Sequence, residues 1–246
     1  MRVLIDVDNV LNNLAESVLN IYNEDSGDNL KIEDIHNYYI ENYVKESYKD
    51  TFHNYFHDKR VWSNVVVTPD CQKYIAKLVH ECDIEVLFAT STTPRNVPKK
   101  AAWLQRNFPF LNIEKSLVVT PSINEINKSI IKADVLVDDS LTNLLGNDRE
   151  YESICVDMPW NRSENESKWS KFHRCTNWEE IYNKILEIKR NGMTNDMCVL
   201  CKCKECGNAY INGGGEGCGD CYRCTKNGGS LFVDHCDCAF YPHLEY

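Results

Sequence analysis

Short, unbroken apolar runs separated by longer mixed segments dominate most of the chain. Five of these runs predict strands, at Val3–Val7, Ile84–Ala89, Leu117–Thr120, Val135–Val137 and Ile154–Val156. Runs without polar interruptions are typical of strands that are buried on both faces. Apolar residues at helical spacing follow several of them, notably over Lys99–Asn107, Leu141–Leu145 and Trp178–Arg190. Alternating strands and helices predict an α/β fold with a Rossmann-like parallel sheet and helices on both faces.

One long segment interrupts this alternation. From about Leu14 to residue 65 the chain is polar and rich in Tyr, Phe, Asn and Glu, with apolar residues at helical spacings. We therefore predict a helical cap inserted between the first two strands. The predicted domain organisation is an α/β domain over 1–190 with the cap at approximately 14–65, a linker over 191–197 and a cysteine-rich zinc-binding module over 198–246.

The net charge and the N-terminal residues argue against several classes of protein. The formal net charge of −10 argues against a broad nucleic-acid-binding surface, because such surfaces are basic. The start of the chain, Met1-Arg2, enters a strand-like run that reaches Asp6, so neither a signal peptide nor a membrane span is expected. These features predict a cytoplasmic protein with no membrane partner.

Cysteine usage changes near the C-terminus: of 13 cysteines, nine fall between Cys198 and Cys238. In a reducing compartment such a cluster indicates a metal site rather than disulfides. Two-residue spacers place paired thiolates on one Zn²⁺, and the metal then supplies the folding free energy that a small core lacks. The pattern resembles a zinc ribbon, which makes Cys203, Cys206, Cys218 and Cys221 the expected ligands of a structural Zn²⁺. A second set stays open: Cys198, Cys201, Cys224, His235, Cys236 and Cys238.

Two acidic pairs follow predicted strands. Asp6 and Asp8 come after the first strand, and Asp138 and Asp139 come after the strand at Val135–Val137. Ligands of open α/β sheets bind at the carboxyl ends of strands, so the pairs should meet in one crevice. A carboxylate there can attack phosphorus while another moves a proton. Four carboxylates together require a cation, and Mg²⁺ suits oxygen ligands and phosphate.

These residues also carry a resemblance. Asp6-Val7-Asp8-Asn9-Val10, Thr90-Ser91, Lys128 and Asp138-Asp139 resemble, in order, the four motifs of the haloacid dehalogenase-like superfamily. Within it the chain is most similar to the 5'(3')-deoxyribonucleotidases over Met1 to Arg190. The shared landmarks are Ala89-Thr90-Ser91, Lys100-Ala101-Ala102-Trp103, Lys128 ten residues before Asp138, Met158-Pro159-Trp160-Asn161-Arg162 and Asn177-Trp178. That family usually has Gly where this chain has Asn9.

The resemblance implies a role for each matching residue. Asp6 would be the nucleophile that forms an aspartyl-phosphate, and Asp8 would act as general acid and then general base. Lys128 would hold Asp6 and the phosphate by charge. Mg²⁺ would be held by Asp6, by the backbone carbonyl of Asp8 and by Asp138, with Asp139 in the outer shell. Contacts to the substrate phosphate would come from Thr90, Ser91 and Lys100.

The predicted function is Mg²⁺-dependent dephosphorylation of deoxyribonucleoside monophosphates. Cap aromatics that could stack on a base are Tyr38, Tyr39, Phe52, Tyr55, Phe56 and Trp62, although a place in the core of the cap is the favoured interpretation for any single one. Alternatives are a phosphatase of another small phosphomonoester or of nucleic-acid 3'-phosphate ends, and a zinc-ribbon adaptor on a non-catalytic phosphatase fold. The expected partner is a small nucleotide; a homodimer is a further candidate, and the sequence identifies no partner for the tail.

Overall fold

Six parallel strands form the sheet of the larger of two compact units. The computed structural model describes residues 1–121, 128–145, 150–162 and 169–200 and three strands within 221–243. The strands of this sheet are β1 Arg2–Asp6, β2 Glu85–Thr92, β3 Leu117–Pro121, β4 Val135–Asp138, β5 Glu152–Val156 and β6 Phe172–Cys175. Their order is β3-β2-β1-β4-β5-β6 and every pairing is parallel. The predicted parallel α/β fold is confirmed.

The core lies along the central strands. Val3, Leu4 and Ile5 of β1 have no exposed surface, and neither have Val135 and Leu136 of β4. Because side chains alternate between the two faces of a strand, complete burial means that both faces of the sheet are covered. Each such side chain contributes roughly 1.5 to 3 kcal/mol relative to an exposed position. The unbroken apolar runs in the sequence therefore marked the most buried strands.

Helices connect the strands outside the cap. They are α3 Cys71–His80, α4 Val97–Asn107, α5 Ile113–Ser116, α6 Leu141–Leu144 and α7 Trp178–Leu200. In α7 the residues Trp178, Ile181 and Ile185 are almost fully buried. Their spacing of three and four residues places them on one face of the helix, which is the face that packs on the larger unit.

The insertion after β1 forms the cap. It contains α1 Leu14–Ser26, short 3-10 helices at Ile32–Asp34 and Ile40–Asn42, a longer 3-10 helix at Glu46–His57, and α2 Lys59–Asn64. An antiparallel bridge between Asn12 and Val67 joins the two chain segments at its base. Tyr22 and Phe52 are both buried in its own core and pack edge to face with ring centroids 5.6 Å apart.

The division of the chain differs from the predicted linker. The compact units are Met1–Ile185 and Leu186–Tyr246, and α7 continues through residues 191–197 to Leu200. A single Gly192 without a following proline costs a helix only about 1 kcal/mol, so it does not end α7.

The second unit contains a three-stranded antiparallel sheet, β7 Cys221–Lys226, β8 Gly229–Asp234 and β9 Ala239–His243, in that order. Among the expected zinc ligands, Cys203, Cys206 and Cys218 lie outside the described residues, and Cys221 is placed only as the first residue of β7. None of the described helices has the length and apolar character needed to cross a membrane.

Candidate active site

The strand order places both acidic pairs at one edge of the sheet. On one side of β1, Asp6 pairs in register with Ala89 of β2, and on the other side Ile5 pairs with Val137 of β4. The chain adds β2 and β3 on one side of β1 and then crosses over to add β4, β5 and β6 on the other side. Such a switch point opens a crevice at the carboxyl ends of the strands. Asp6 and Asp138 are the last residues of their strands, so both reach this crevice.

Lys128 lies between these two carboxylates. Its Nζ contacts Oδ1 of Asp6 and lies 2.6 Å from Oδ2 of Asp138. Lys128 is 2% exposed and Asp138 is fully buried. Burial alone lowers the pKa of an ammonium group, but Asp138 and Asp6 override this effect and raise the pKa of Lys128. The lysine therefore supplies a permanent positive charge beside the predicted nucleophile.

Three carboxylates surround a space that suits a metal ion. Asp6, Asp138 and Asp139 are all buried, and one oxygen of each lies within 4.8 Å of the others. Burial raises the pKa of Asp6 to about 7, and the positive charge of Lys128 opposes this shift. Burial is also the main reason why the pKa of Asp139 lies well above its usual value, and the negative charge of Asp6 adds to the effect. With Asp8 the crevice holds four carboxylates against two lysines, Lys128 and Lys100. A divalent cation with oxygen ligands, such as Mg²⁺, fits this charge and donor set.

Asp8 and Lys100 form a second ion pair. Lys100, on α4, is 2% exposed and its Nζ contacts Oδ2 of Asp8 and donates to the Thr90 hydroxyl at 2.7 Å. The other oxygen of Asp8 is buried and has no hydrogen-bond partner within the described part of the chain. The side chain of Ser91 lies 2.8 Å from the Thr120 hydroxyl. The predicted phosphate-contacting residues Thr90, Ser91 and Lys100 therefore converge on the crevice, and all three already bind protein groups.

Asn9 occupies a strained backbone position beside the acidic pair. Its φ is +59°, in the left-handed region that Asn tolerates better than most residues other than Gly. Its Nδ2 donates to Asp139 at 3.2 Å, and its Oδ1 accepts from the backbone N–H of Ala15 at 2.9 Å. Asn9 therefore adopts a backbone conformation that generally favours Gly, and it also links Asp139 to the start of α1.

A cavity of 490 Å³ lies between the crevice and the cap. Asp8, Ser91 and Lys100 line it on the side of the sheet. The predicted aromatics divide into two groups. Tyr38, Tyr39, Phe52 and Phe56 line the cavity, whereas Tyr55 packs against Tyr22 and Phe52, and Trp62 donates its Nε1–H to the Phe56 carbonyl inside the cap. The cavity has the size and the aromatic lining of a small-molecule site.

Tyr38 links the cap to the carboxylates. The residue is 58% exposed and is one of those that line the cavity. Desolvation by the protein around its hydroxyl, followed by the charges of Asp139 and Asp6, nevertheless raises the pKa of this phenol well above its usual value. Tyr38 therefore lies within the electrostatic field of the acidic cluster, and its ring packs edge to face with that of Tyr39.

Several lining residues were not predicted as site residues from the sequence. They are Asn9, Thr92, Thr93, Asn96, His57 and Trp160. His57 and Asn96 are 39 residues apart in the chain and meet only through the fold, with His57 Nδ1 2.9 Å from Asn96 Oδ1. No local pattern in the sequence predicts such a contact. Trp160 belongs to a landmark of the resembling family, and that was the available signal.

Comparisons with known proteins identify the family of the chain. Residues 1–191 match the family model described as "5' nucleotidase, deoxy (Pyrimidine), cytosolic type C protein". A 5'(3')-deoxyribonucleotidase of Bacillus subtilis is 32% identical over 186 residues, which cover 75% of this chain and 98% of that protein. A 5'(3')-deoxyribonucleotidase of Clostridium acetobutylicum is 28% identical over 179 residues, covering 72% and 89%.

A solved structure supports the fold. A haloacid dehalogenase family hydrolase from Deinococcus radiodurans, solved with bound phosphate and sodium, has a TM-score of 0.53 and 12% sequence identity, and the match covers 76% of this chain and 96% of that one. At this identity the likeness concerns the fold alone. The family match over most of the chain carries the assignment: the chain belongs to the deoxy-type 5' nucleotidase family of haloacid dehalogenase-like hydrolases, and it is a phosphoric monoester hydrolase.

Proposed function

We propose that the chain is a Mg²⁺-dependent 5'(3')-deoxyribonucleotidase that hydrolyses deoxyribonucleoside monophosphates through an aspartyl-phosphate on Asp6. The observation that carries this proposal is the position of Lys128, buried between Asp6 and Asp138 at the carboxyl edge of the sheet. A buried charge that serves only stability is weakly favoured. A cation fixed beside a nucleophile and a metal-binding carboxylate, in contrast, stabilises the charge of a phosphoryl group in transit.

Asp6 and Asp138, with the backbone carbonyl of Asp8, would hold Mg²⁺, and Asp139 would act from the outer shell or as a direct ligand. When bound, the ion would neutralise the carboxylates and polarise the phosphoryl group. The closeness of Asp139 to the other two carboxylates supports its place in this set.

In the first step an oxygen of Asp6 would attack phosphorus, and the bond between phosphorus and the ester oxygen would break. Asp8, two residues further on, would give its proton to the departing sugar oxygen. In the second step Asp8 would take a proton from water as the water oxygen attacks the phosphorus of the aspartyl-phosphate. This step releases inorganic phosphate and restores the Asp6 carboxylate.

Lys100 would change partners when the substrate binds. In the present structure its ammonium group donates to Asp8 and to Thr90. Incoming phosphate oxygens would replace one of these contacts, and this exchange would free Asp8 for proton transfer. Ser91 would add a backbone N–H to the phosphate, because its hydroxyl is already paired with Thr120.

The substrate class follows from the cavity and from the names of the relatives. The rings of Tyr38, Tyr39 and Phe56 in the cavity wall suit a base, since each stacked ring contributes roughly 1 to 3 kcal/mol, whereas Phe52 lies buried behind them. The curated relatives are named 5'(3')-deoxyribonucleotidases. Hydrolysis of another small phosphomonoester by the same machinery is the alternative outcome.

The test is a phosphate-release screen with Mg²⁺ across deoxyribonucleoside 5'- and 3'-monophosphates, ribonucleotides and sugar phosphates. The expected result is the highest kcat/KM for a deoxyribonucleotide. Activity on sugar phosphates alone would reject the nucleotidase proposal, and it would leave the phosphatase assignment standing.

For the C-terminal module we propose a structural Zn²⁺ bound by Cys203, Cys206, Cys218 and Cys221. The Cys-x2-Cys spacings support this proposal, together with the expected cytoplasmic location. Metal analysis of the purified full chain tests it directly, because a protein without zinc would contradict it.

A further inference from the structure

The first turn of α1 is capped by side chains that lie outside the helix. An α-helix leaves the backbone N–H groups of its first turn without partners inside the helix. The residue before α1, Asn13, makes no capping hydrogen bond with its side chain. The N–H of Leu14 instead donates to Oδ1 of Asn12 at 3.1 Å, and the N–H of Ala15 donates to Oδ1 of Asn9 at 2.9 Å. The start of the cap helix therefore depends on a side chain from the loop that follows β1.

The orientation of the Asn9 amide follows from this contact. A backbone N–H only donates hydrogen bonds, so Oδ1 must face Ala15, and Nδ2 is the atom left to face the sheet. Nδ2 donates to Oδ2 of Asp139 at 3.2 Å. One planar group thus joins the N-terminus of the cap helix to the acidic cluster of Asp6, Asp138 and Asp139.

The Asp139 carboxylate has a different partner from the other two carboxylates of this cluster. Lys128 contacts those two. Within the described residues, the side chain that donates to the Asp139 carboxylate is Asn9, and the backbone carbonyl of Asp139 accepts from Nδ2 of Asn161 at 2.8 Å. Asn161 therefore holds the main chain of Asp139, and Asn9 sets the direction of its side chain.

Given the proposed Mg²⁺ site, we propose that Asn9 is a positioning residue that couples metal binding to the order of the cap helix. With its oxygen anchored on Ala15, the amide holds the Asp139 carboxylate beside the other two, whether Asp139 serves the metal directly or from the outer shell. Removing such a hydrogen-bonding partner typically costs about 10- to 100-fold in metal affinity. Coupling between two events is reciprocal, so bound Mg²⁺ in turn stabilises the first turn of α1.

The first test measures Mg²⁺ affinity by titration calorimetry of the Mg²⁺-free full chain. Asn9→Gly removes both hydrogen bonds and keeps the backbone conformation, because Gly accepts a φ of +59°. The Kd for Mg²⁺ should rise about tenfold in this variant. Asn13→Ala is the matched control at the same helix start, since the side chain of Asn13 bonds to Val66, Glu16 and Ser17. It should loosen the helix start but keep the Kd within about twofold, because it has no partner in common with Asp139.

Hydrogen exchange measures the coupling in the unmodified chain, without any substitution. Saturating Mg²⁺ should slow exchange of the Ala15 amide about tenfold more than exchange of the Val65 amide, which bonds to Val61 at the end of α2. The Val65 amide reports the general stabilisation of the cap. The extra protection of Ala15 should disappear in Asn9→Gly and persist in Asn13→Ala. Equal protection of the two amides in the unmodified chain would overturn the coupling.

The outcomes separate this proposal from the proposed function. Equal Mg²⁺ affinity of Asn9→Gly and the unmodified chain would overturn the role of Asn9 and leave the metal site and the nucleotidase proposal standing. Equal weakening in Asn9→Gly and Asn13→Ala would overturn it too, because general loosening of the helix would then explain the loss. Absence of Mg²⁺ binding by the unmodified chain would instead reject the metal site itself, and both proposals with it.

Discussion

Lys128 and Asp138 are ten residues apart in the chain, and Nζ of the lysine lies 2.6 Å from Oδ2 of the aspartate. Neither side chain has appreciable access to solvent. The contact joins the start of a 3-10 helix, Lys128–Ile130, to the end of β4. The same ammonium group also meets Asp6 on the neighbouring strand. One buried cation thus organises two strand ends, and its removal affects both.

Asp6→Asn tests the nucleophile. The amide keeps the shape of the side chain but has no charge with which to attack phosphorus, so turnover should nearly vanish. Losing a general-acid contribution alone lowers rates by about 10² to 10⁴. A variant that retains more than about a hundredth of the rate would show that another group attacks phosphorus. Acid-quenched enzyme with labelled substrate should carry phosphate only when Asp6 is present.

Lys128→Met tests the buried cation. The variant should have only a small fraction of the original kcat, because the lysine stabilises negative charge that develops in the transition state. Lys132, four residues later and exposed, is the matched control, and Lys132→Met should leave kcat unchanged. Melting temperatures of both variants separate catalysis from folding. Normal kinetics in Lys128→Met would remove this lysine from the mechanism.

The sequence predicted the acidic edge of the sheet better than the walls of the cavity. Asp6 and Asp138 were predictable because each follows an unbroken apolar run, and the ends of parallel strands converge. Strand β6, Phe172–Cys175, was missed because Phe-His-Arg-Cys has no such run, and it lies at the edge of the sheet. The pair of His57 and Asn96 was missed for a different reason. Its geometry arises from tertiary packing between the cap and α4, which leaves no periodic signal.

Mg²⁺ should stabilise the protein more at pH 8 than at pH 5. Burial raises the pKa of Asp6 to about 7 and also raises that of Asp139. A carboxyl whose pKa is raised on folding contributes stability below its unfolded pKa of about 4, and this contribution is lost as the pH rises through the folded value. The ionised carboxylates then bind Mg²⁺. At a Mg²⁺ concentration of roughly 100 times its Kd, binding adds about 2.7 kcal/mol to the free energy of unfolding.

Thermal melting with Mg²⁺ and with EDTA at both pH values measures this effect. Asp139→Asn is the control, because it removes one titrating carboxyl and should flatten the pH dependence of the metal-free protein. Equal stabilisation by Mg²⁺ at pH 5 and pH 8 would contradict the linkage between proton and metal binding at this cluster.

Substitutions of Asn9 should give an unusual order of stability, with Asn highest, Gly next and Ala lowest. Gly accepts the φ of +59° but loses the hydrogen bonds to Asp139 and Ala15, at about 1 to 2 kcal/mol in total. Ala loses the same bonds and adds roughly 1 kcal/mol of left-handed strain. Urea denaturation measures the order. An Ala variant as stable as the Gly variant would show that the backbone relaxes, since Ala normally stabilises relative to Gly where the conformation allows it.

Removal of the residues after Gly192 should leave a folded and active phosphatase. The compact unit Met1–Ile185 contains all six parallel strands, the cap and the acidic cluster. The buried residues of α7, Trp178, Ile181 and Ile185, also precede the cut, so the helix keeps its packing face. The expected result is kcat/KM within about twofold of the full chain, with the melting transition of the larger unit retained.

If the proposed Zn²⁺ is present, chelation should unfold the tail of the full chain first and leave turnover with Mg²⁺ intact, since such modules depend on their metal for folding. A soluble truncated chain without activity would show instead that the tail shapes the active site.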